Sequence, residues 1–138
     1  MSLDPIAPFV GALHEAALVA MRNAYAPYST FHVGAALLTE DGQVIAGCNV
    51  ENASYPAGTC AERAAIGAAV AAGHQRFRAV LISTAADTPT PPCGVCRQVL
   101  AEFGMDLIVI ARTTQGAEAR WVLADLLPHP FTPASFRP

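Results

Sequence analysis

The chain contains no lysine: its 8 basic residues are all arginines, scattered from Arg22 to Arg137. Chemistries that depend on a lysine amine are thereby excluded, among them the P-loop phosphate cradle, Schiff-base catalysis and the anchoring of pyridoxal phosphate. Charge of either sign is scarce. Only 14% of the 138 residues are charged, and 11 acidic against 8 basic side chains leave a formal net charge of −3. An acidic chain without a basic run lacks the electrostatic footprint that holds a nucleic-acid backbone. Long hydrophobic runs are missing as well. The longest stretch free of formal charge, Asn23 to Thr39, is broken by Asn, Tyr, Pro, Ser, Thr and His, and does not read as a membrane span. Asp4 and Pro5 stand where a secretion signal would carry basic residues ahead of an apolar run. Four cysteines without such a signal predict a reducing, cytoplasmic setting, where cysteine serves metals or catalysis more often than disulfides.

What the chain does have is apolar bulk. Hydrophobic residues make up 53% of it, and its mean hydropathy is +0.36. That suffices for one core in a single domain spanning residues 1–138, and the excess is expected to cover a subunit interface. Phe9, Leu13, Ala17, Ala20 and Ala24 recur at three- and four-residue steps, which predicts an opening helix to about Ala24, broken by Pro27. Phe31–Thr39 and Gln43–Val50 read as strands joined by a hairpin turn at Asp41-Gly42. A helix is expected from Thr59 to about Ala72, with Gly73 as its stop, and then a buried strand Arg78–Thr84. Past a Pro-rich loop, a helix from about Gly94 to Gly104 precedes a buried strand Leu107–Ala111. Arg120–Leu123 adds an edge strand before a short helical L-A-D-L-L. The hairpin supplies an antiparallel pair, and the later helices serve as crossovers between parallel strands. The expected fold is α/β, a three-layer α/β/α sandwich around a mixed sheet of about five strands.

Cys60 lies at the start of one predicted helix, and Cys93 and Cys96 flank the start of another. Two helices leaving the same edge of one sheet would bring those starts together. The partial positive charge at helix N-termini stabilises thiolates and favours metal ligation at neutral pH. Three cysteines leave the fourth tetrahedral position of a zinc ion open, which is the catalytic pattern. Spacing alone leaves other readings standing. Cys48, or one of His14, His32, His74 and His129, would close the site as a structural one. C-G-V-C at a helix start also resembles a redox dithiol, and plain burial of the cysteines is a further reading. Thr59-Cys60-Ala61-Glu62 fits a capping box, which would make Glu62 a helix cap and nothing more.

T-C-A-E-R-A-A-I (Thr59–Ile66) followed by P-C-G-V-C-R-Q-V-L (Pro92–Leu100) resembles the zinc nucleoside deaminase signature, with Cys in place of His in H-x-E…P-C-x-x-C. A-Y-A-P-Y-S-T-F-H-V-G-A-A-L (Ala24–Leu37), G-C-N-V-E-N-A-S-Y-P (Gly47–Pro56) and D-L-L-P-H-P-F (Asp125–Phe131) are similar to segments of cytidine deaminases. The resemblance runs in order over nearly the whole chain, whose length suits the small, homotetrameric branch of that family.

The resemblance implies a hydrolase acting on the C–N bond of a cyclic amidine. Cytidine and 2′-deoxycytidine would become uridine and 2′-deoxyuridine plus ammonia, in pyrimidine salvage. It implies one Zn²⁺ per chain on Cys60, Cys93 and Cys96, hydroxide from the fourth position attacking ring carbon 4, and Glu62 as proton shuttle. Arg63 would offset thiolate charge through hydrogen bonds to the ligands. Asn49 and Glu51 would hold the ribose hydroxyls, a pair that blasticidin S deaminase does not keep. Phe31 would wall the pyrimidine, and the backbone amide of Ala61 would meet its carbonyl oxygen. Tyr55 and Phe131 would reach across subunit interfaces, so that a homotetramer shares its active sites. The partner is then a small nucleoside, with neither a nucleic acid polymer nor a membrane. Pro91 stands where the family usually has Ser or Thr, and Cys48 reads as a small buried hydrophobe. Two other function classes stay in view. A deaminase of single-stranded nucleic acid would need the basic groove that is missing, and a zinc-stabilised structural domain would need a fourth protein ligand.

Overall fold

The computed structural model describes residues 4–137. A short 3₁₀ turn leads into helix α1 (Val10–Arg22). The hairpin follows as β1 (Val33–Thr39) and β2 (Val44–Cys48), then α2 (Ala61–Ala71), β3 (Phe77–Thr84), α3 (Gly94–Ala101), β4 (Ile108–Thr113), β5 (Glu118–Val122) and the short α4 (Leu123–Leu126). Every element expected from the sequence is present, with its ends shifted by a few residues. The strands form one five-stranded sheet in the order β2-β1-β3-β4-β5. It is mixed: β1 runs antiparallel to both β2 and β3, β3 and β4 are parallel, and β5 returns antiparallel to β4. Only α3 crosses between adjacent parallel strands. Helix α2 links β2 to β3, which run the same way with β1 between them, because the tight turn at Gly42 (φ +90°) lays β2 along the outer edge of β1.

Side-chain alternation along the strands divides the core into two layers. Ala35, Leu37, Val80, Ile82 and Val109 face α2 and α3, where they meet Ala61, Ala65, Ile66, Ala69 and Leu100. Ala36, Leu38, Ala79, Leu81 and Ile110 face α1, where they meet Leu13 and Ala17 together with Ile6. Both faces of the central strands are covered, which explains why β1, β3 and β4 read as continuous apolar runs rather than alternating ones. The result is the three-layer α/β/α sandwich.

Two glycines set how closely the helices approach. A Cβ on Gly34 would lie 1.9 Å from the Ala17 carbonyl oxygen of α1, and one on Gly47 would lie 2.4 Å from the Ala65 backbone nitrogen of α2. At both places helix backbone rests directly on strand backbone, and the obstacle is main chain that cannot swing aside. Gly67, on α2, has nothing within 4 Å of its Cβ position. Gly47→Ala is therefore expected to lower stability by about 3 kcal/mol, at the upper end of overpacking costs. Gly67→Ala is expected to raise it by about 0.5–1 kcal/mol through helix propensity. Denaturant unfolding of the two variants checks both signs.

Candidate metal centre and active site

Helix α2 starts later than the capping pattern implies. Thr59 exchanges both backbone hydrogen bonds with Val50, each 2.9 Å long, and so belongs to a β-bridge rather than to the helix. The N-cap is Cys60, in extended conformation (φ −73°, ψ 155°) and with no side-chain capping bond. Glu62 thus occupies the second helical position, and the capping-box reading of it is overturned. Helix α3 begins the same way, with Cys93 as an extended N-cap (φ −66°, ψ 168°) that makes no side-chain capping bond and Cys96 in the first turn. In both helices the cap position holds a sulfur, which stays free for another partner.

The two helix starts converge. The Sγ atoms of Cys60 and Cys93 are 4.0 Å apart, those of Cys93 and Cys96 are 3.4 Å apart, and all three ligand atoms lie within 4.8 Å of one another. Tetrahedral zinc with Zn–S bonds of about 2.3 Å sets sulfurs roughly 3.8 Å apart, so the donor set fits the ion in both chemistry and spacing. No further histidine, cysteine or carboxylate among the described residues joins the cluster. Cys48, the last residue of β2, and the four histidines are not part of the cluster, which removes the closed-site reading. A third sulfur beside Cys93 and Cys96 likewise favours a metal over a two-cysteine redox pair.

Three thiolates crowd negative charge, and the surroundings answer it. Arg63 donates from Nη2 to Cys60 Sγ at 3.7 Å and to the Gly58 carbonyl at 3.4 Å. In the metal-free protein the Cys60 thiol is drawn down to about 5, first by hydrogen bonding with Cys96 and then by Arg63 and Cys93, against the opposing effect of burial. Cys96 is pushed up, by its bond to Cys60 and by burial. Glu62 is 5% exposed. Burial raises its carboxyl above the ordinary carboxylate value, and the Cys60 thiolate adds to the rise. A buried carboxyl that binds a proton readily, beside an open-sided thiolate cluster, is the pairing of acid–base group and metal site that hydrolytic chemistry requires.

Residues 10–112 match the cytidine and deoxycytidylate deaminase zinc-binding region. The chain belongs to this deaminase family. Its relatives include the cytidine deaminase of Halalkalibacterium halodurans, 45% identical over 121 residues, covering 87% of this chain and 92% of that one. The cytidine deaminase of Sporosarcina psychrophila is 44% identical over 114 residues, covering 82% and 84%. The crystal structure of cytidine deaminase from Burkholderia pseudomallei superposes with a TM-score of 0.85 at 49% identity, over 88% of this chain and 98% of that one. Zinc is the metal of this deaminase fold, and the cluster of Cys60, Cys93 and Cys96 suits it.

The other residues that the sequence singled out lie at the start of α2, before β1, after β2 and in the C-terminal tail. Ala61 opens α2, so its N–H is one of the unsatisfied donors of the first turn. Asn49 is buried, and its amide is engaged with backbone: Oδ1 accepts from Val33 N–H at 2.8 Å and Nδ2 donates to the Phe31 carbonyl at 2.8 Å. Glu51 Oε1 accepts from the amides of Tyr28 and Ser29, both at 3.0 Å, and its Oε2 accepts from the Ser29 hydroxyl. Those bonds, the hydroxyl's foremost, hold the Glu51 carboxyl below its ordinary value. Phe31, Tyr55 and Phe131 are 41%, 76% and 64% exposed, more open than large aromatics need be unless something covers them.

Sequence reasoning did not single out Ser29, Arg97 or Gln98. Arg97 donates to the carbonyls of Pro92 and Leu126 at 2.8 and 2.9 Å, and the Gln98 amide pairs with the Phe131 backbone, pinning the C-terminal tail to the metal-bearing helix. Gln98 and Phe131 are 33 residues apart, and no local pattern signals such a contact. Ser29 follows Pro27 in a turn-forming stretch, which is the one local hint it offered.

Two outcomes follow from the charge balance at the cluster. Arg63→Ala is expected to weaken zinc binding by about 10–100-fold, the usual cost of losing a group that orients metal ligands; competition with a chelator measures it. In metal-free protein at pH 7, iodoacetamide is expected to modify Cys60 well ahead of Cys96, and Arg63→Ala to slow the Cys60 reaction. Peptide mass spectrometry reads both.

Proposed function

We propose that this protein hydrolytically deaminates cytidine and 2′-deoxycytidine to uridine and 2′-deoxyuridine, releasing ammonia in pyrimidine salvage. The observation that carries the reading is the buried Glu62 two residues from Cys60, beside a three-sulfur cluster with no fourth protein ligand among the described residues. Zinc on Cys60, Cys93 and Cys96 would supply Lewis acidity that makes hydroxide available near neutral pH. Glu62 takes the proton of the water that adds to ring carbon 4 and delivers it to ring nitrogen 3. Glu62 then carries the hydroxyl proton of the adduct to the exocyclic amino group; the C4–N bond breaks, ammonia leaves and the carbonyl of uracil forms. Its raised affinity for a proton suits a group that must accept and donate within one cycle. The Ala61 amide receives the pyrimidine carbonyl oxygen, Phe31 stands against the ring, and Asn49 and Glu51 address the sugar.

Tyr55 and Phe131 complete a neighbouring subunit's site in a homotetramer, and their exposure in the single chain supports that assignment. Four free cysteines support a cytoplasmic setting.

Cytidine turnover is followed by loss of cytosine absorbance and by ammonia release, on protein with its zinc quantified. Turnover with one zinc per chain is expected. Absence of turnover in an intact, zinc-loaded oligomer would overturn the substrate assignment. Glu62→Gln is expected to lower kcat by about 10²–10⁴-fold while zinc is retained. The same substitution carries a signature in metal-free protein. Because the folded carboxyl is raised, its stabilising effect is present below the unfolded value and lost as pH rises through the folded one. Metal-free Glu62→Gln is thus expected to outlast the parent in denaturant at pH 7.5, with the gap closing as pH falls to 4. Native mass spectrometry is expected to show four chains, and interface variants that dissociate to monomers are expected to lose activity.

A further inference from the structure

Between α1 and β1 the chain runs through a short loop that the segment after β2 laces down along its length. Tyr25 exchanges backbone bonds with that segment, its N–H donating to the Asn49 carbonyl at 3.0 Å and its carbonyl accepting from the Glu51 N–H at 2.8 Å. At the loop's far end the Asn49 amide holds Phe31 and Val33. In the middle stands Ser29. Its hydroxyl donates to Glu51 Oε2 and accepts from the Phe31 N–H at 3.0 Å, while its own N–H donates to Glu51 Oε1 at 3.0 Å. The next residue, Thr30, is the only described non-glycine with positive φ (59°), a left-handed conformation that a β-branched side chain adopts only where its surroundings enforce it. Ser29 also lines a cleft of about 350 Å³ with Tyr28, Glu51, Asn52, Tyr55 and Gly58. The Gly58 carbonyl accepts from the Arg63 side chain that reaches Cys60, so Arg63 links the wall of the cleft to the metal cluster.

We propose that Ser29 is a positioning residue for the reaction, its hydroxyl joining the sugar-end carboxylate Glu51 to the backbone that presents Phe31, and so fixing the distance between the sugar and base ends of the site. This rests on the reading of Glu51 and Phe31 as substrate contacts. Ser29 acts through those two residues and does not itself hold the nucleoside. Without the hydroxyl, Glu51 loses a charge-assisted donor and the Phe31 amide its acceptor.

The test compares wild type, Ser29→Ala and Ser29→Thr on cytidine and on 2′,3′-dideoxycytidine, alongside hydrogen exchange at the Phe31 amide. Ser29→Ala is expected to raise KM for cytidine about tenfold, the worth of one hydrogen bond to a charged group, with kcat held within about twofold. Ser29→Thr, which keeps the hydroxyl, is expected to restore KM. A smaller but measurable loss is expected on dideoxycytidine, because the Glu51 part of the defect needs the sugar hydroxyls while the ring-wall part through Phe31 does not. A loss confined to the hydroxyl-bearing sugar would leave the ring wall unaffected and overturn the link from Ser29 to Phe31, and an unchanged KM would overturn the proposal outright. Phe31 amide exchange is expected to quicken in Ser29→Ala and recover in Ser29→Thr, and unchanged exchange overturns the linkage whatever the activity. A wild-type protein inert toward cytidine would instead overturn the deaminase reading, while Phe31 exchange still decides whether Ser29 holds the loop.

Discussion

The structure is organised by the need to bring three sulfur atoms within 4.8 Å of one another from two separate helix starts. Cys60 comes from the start of α2, and Cys93 and Cys96 from that of α3, so both helices must leave the same edge of the sheet at matched heights. Helix α3 meets this requirement through the parallel pair β3–β4. Helix α2 meets it by resting backbone on backbone at Gly47, a contact that admits no side chain. Once the helices are so placed, their dipoles point positive ends at the thiolates, and Arg63 adds a full positive charge that bonds to the cluster.

The same placement explains Glu62. One turn of helix separates a residue facing the cluster from residues packed in the core, and Ala61, Ala65 and Ala69 are fully buried against the sheet. Small side chains let α2 sit low, and a low helix carries the carboxyl of its first turn out of water. Burial near thiolates works against a charged carboxylate. The surrounding apolar layer of Leu37, Ile82 and Leu100 keeps the fold intact despite that local cost.

Much of the fold was legible because its signals are local. Apolar spacing marked α1, the Asp41-Gly42 turn marked the hairpin, and the continuous runs at Arg78–Thr84 and Leu107–Ala111 marked strands covered on both faces. Where local chemistry competed with distant pairing, the reading slipped. Thr59 carries every mark of an N-cap, yet Val50 claims its backbone and the helix begins two residues later at Ala61. Helix starts foretold which cysteines would gather, but spacing did not exclude a fourth ligand; only their three-dimensional placement removes Cys48 and the histidines. Asn49 and Glu51 were singled out through the family resemblance. Their hydrogen bonds to residues 28–33 are tertiary, and no periodicity encodes them.

The close seat of α2 has a further consequence. In the hairpin Gly47 faces Ala35 across the ladder, and by strand alternation its neighbours Ala46 and Cys48 point to the opposite layer. A slip of one residue would put a Cβ under α2 where only hydrogen fits, lift the helix, and pull Cys60 away from Cys93 and Cys96. Zinc retention is then a proofreading mark on strand pairing: a chain that holds its metal has already paired its hairpin correctly.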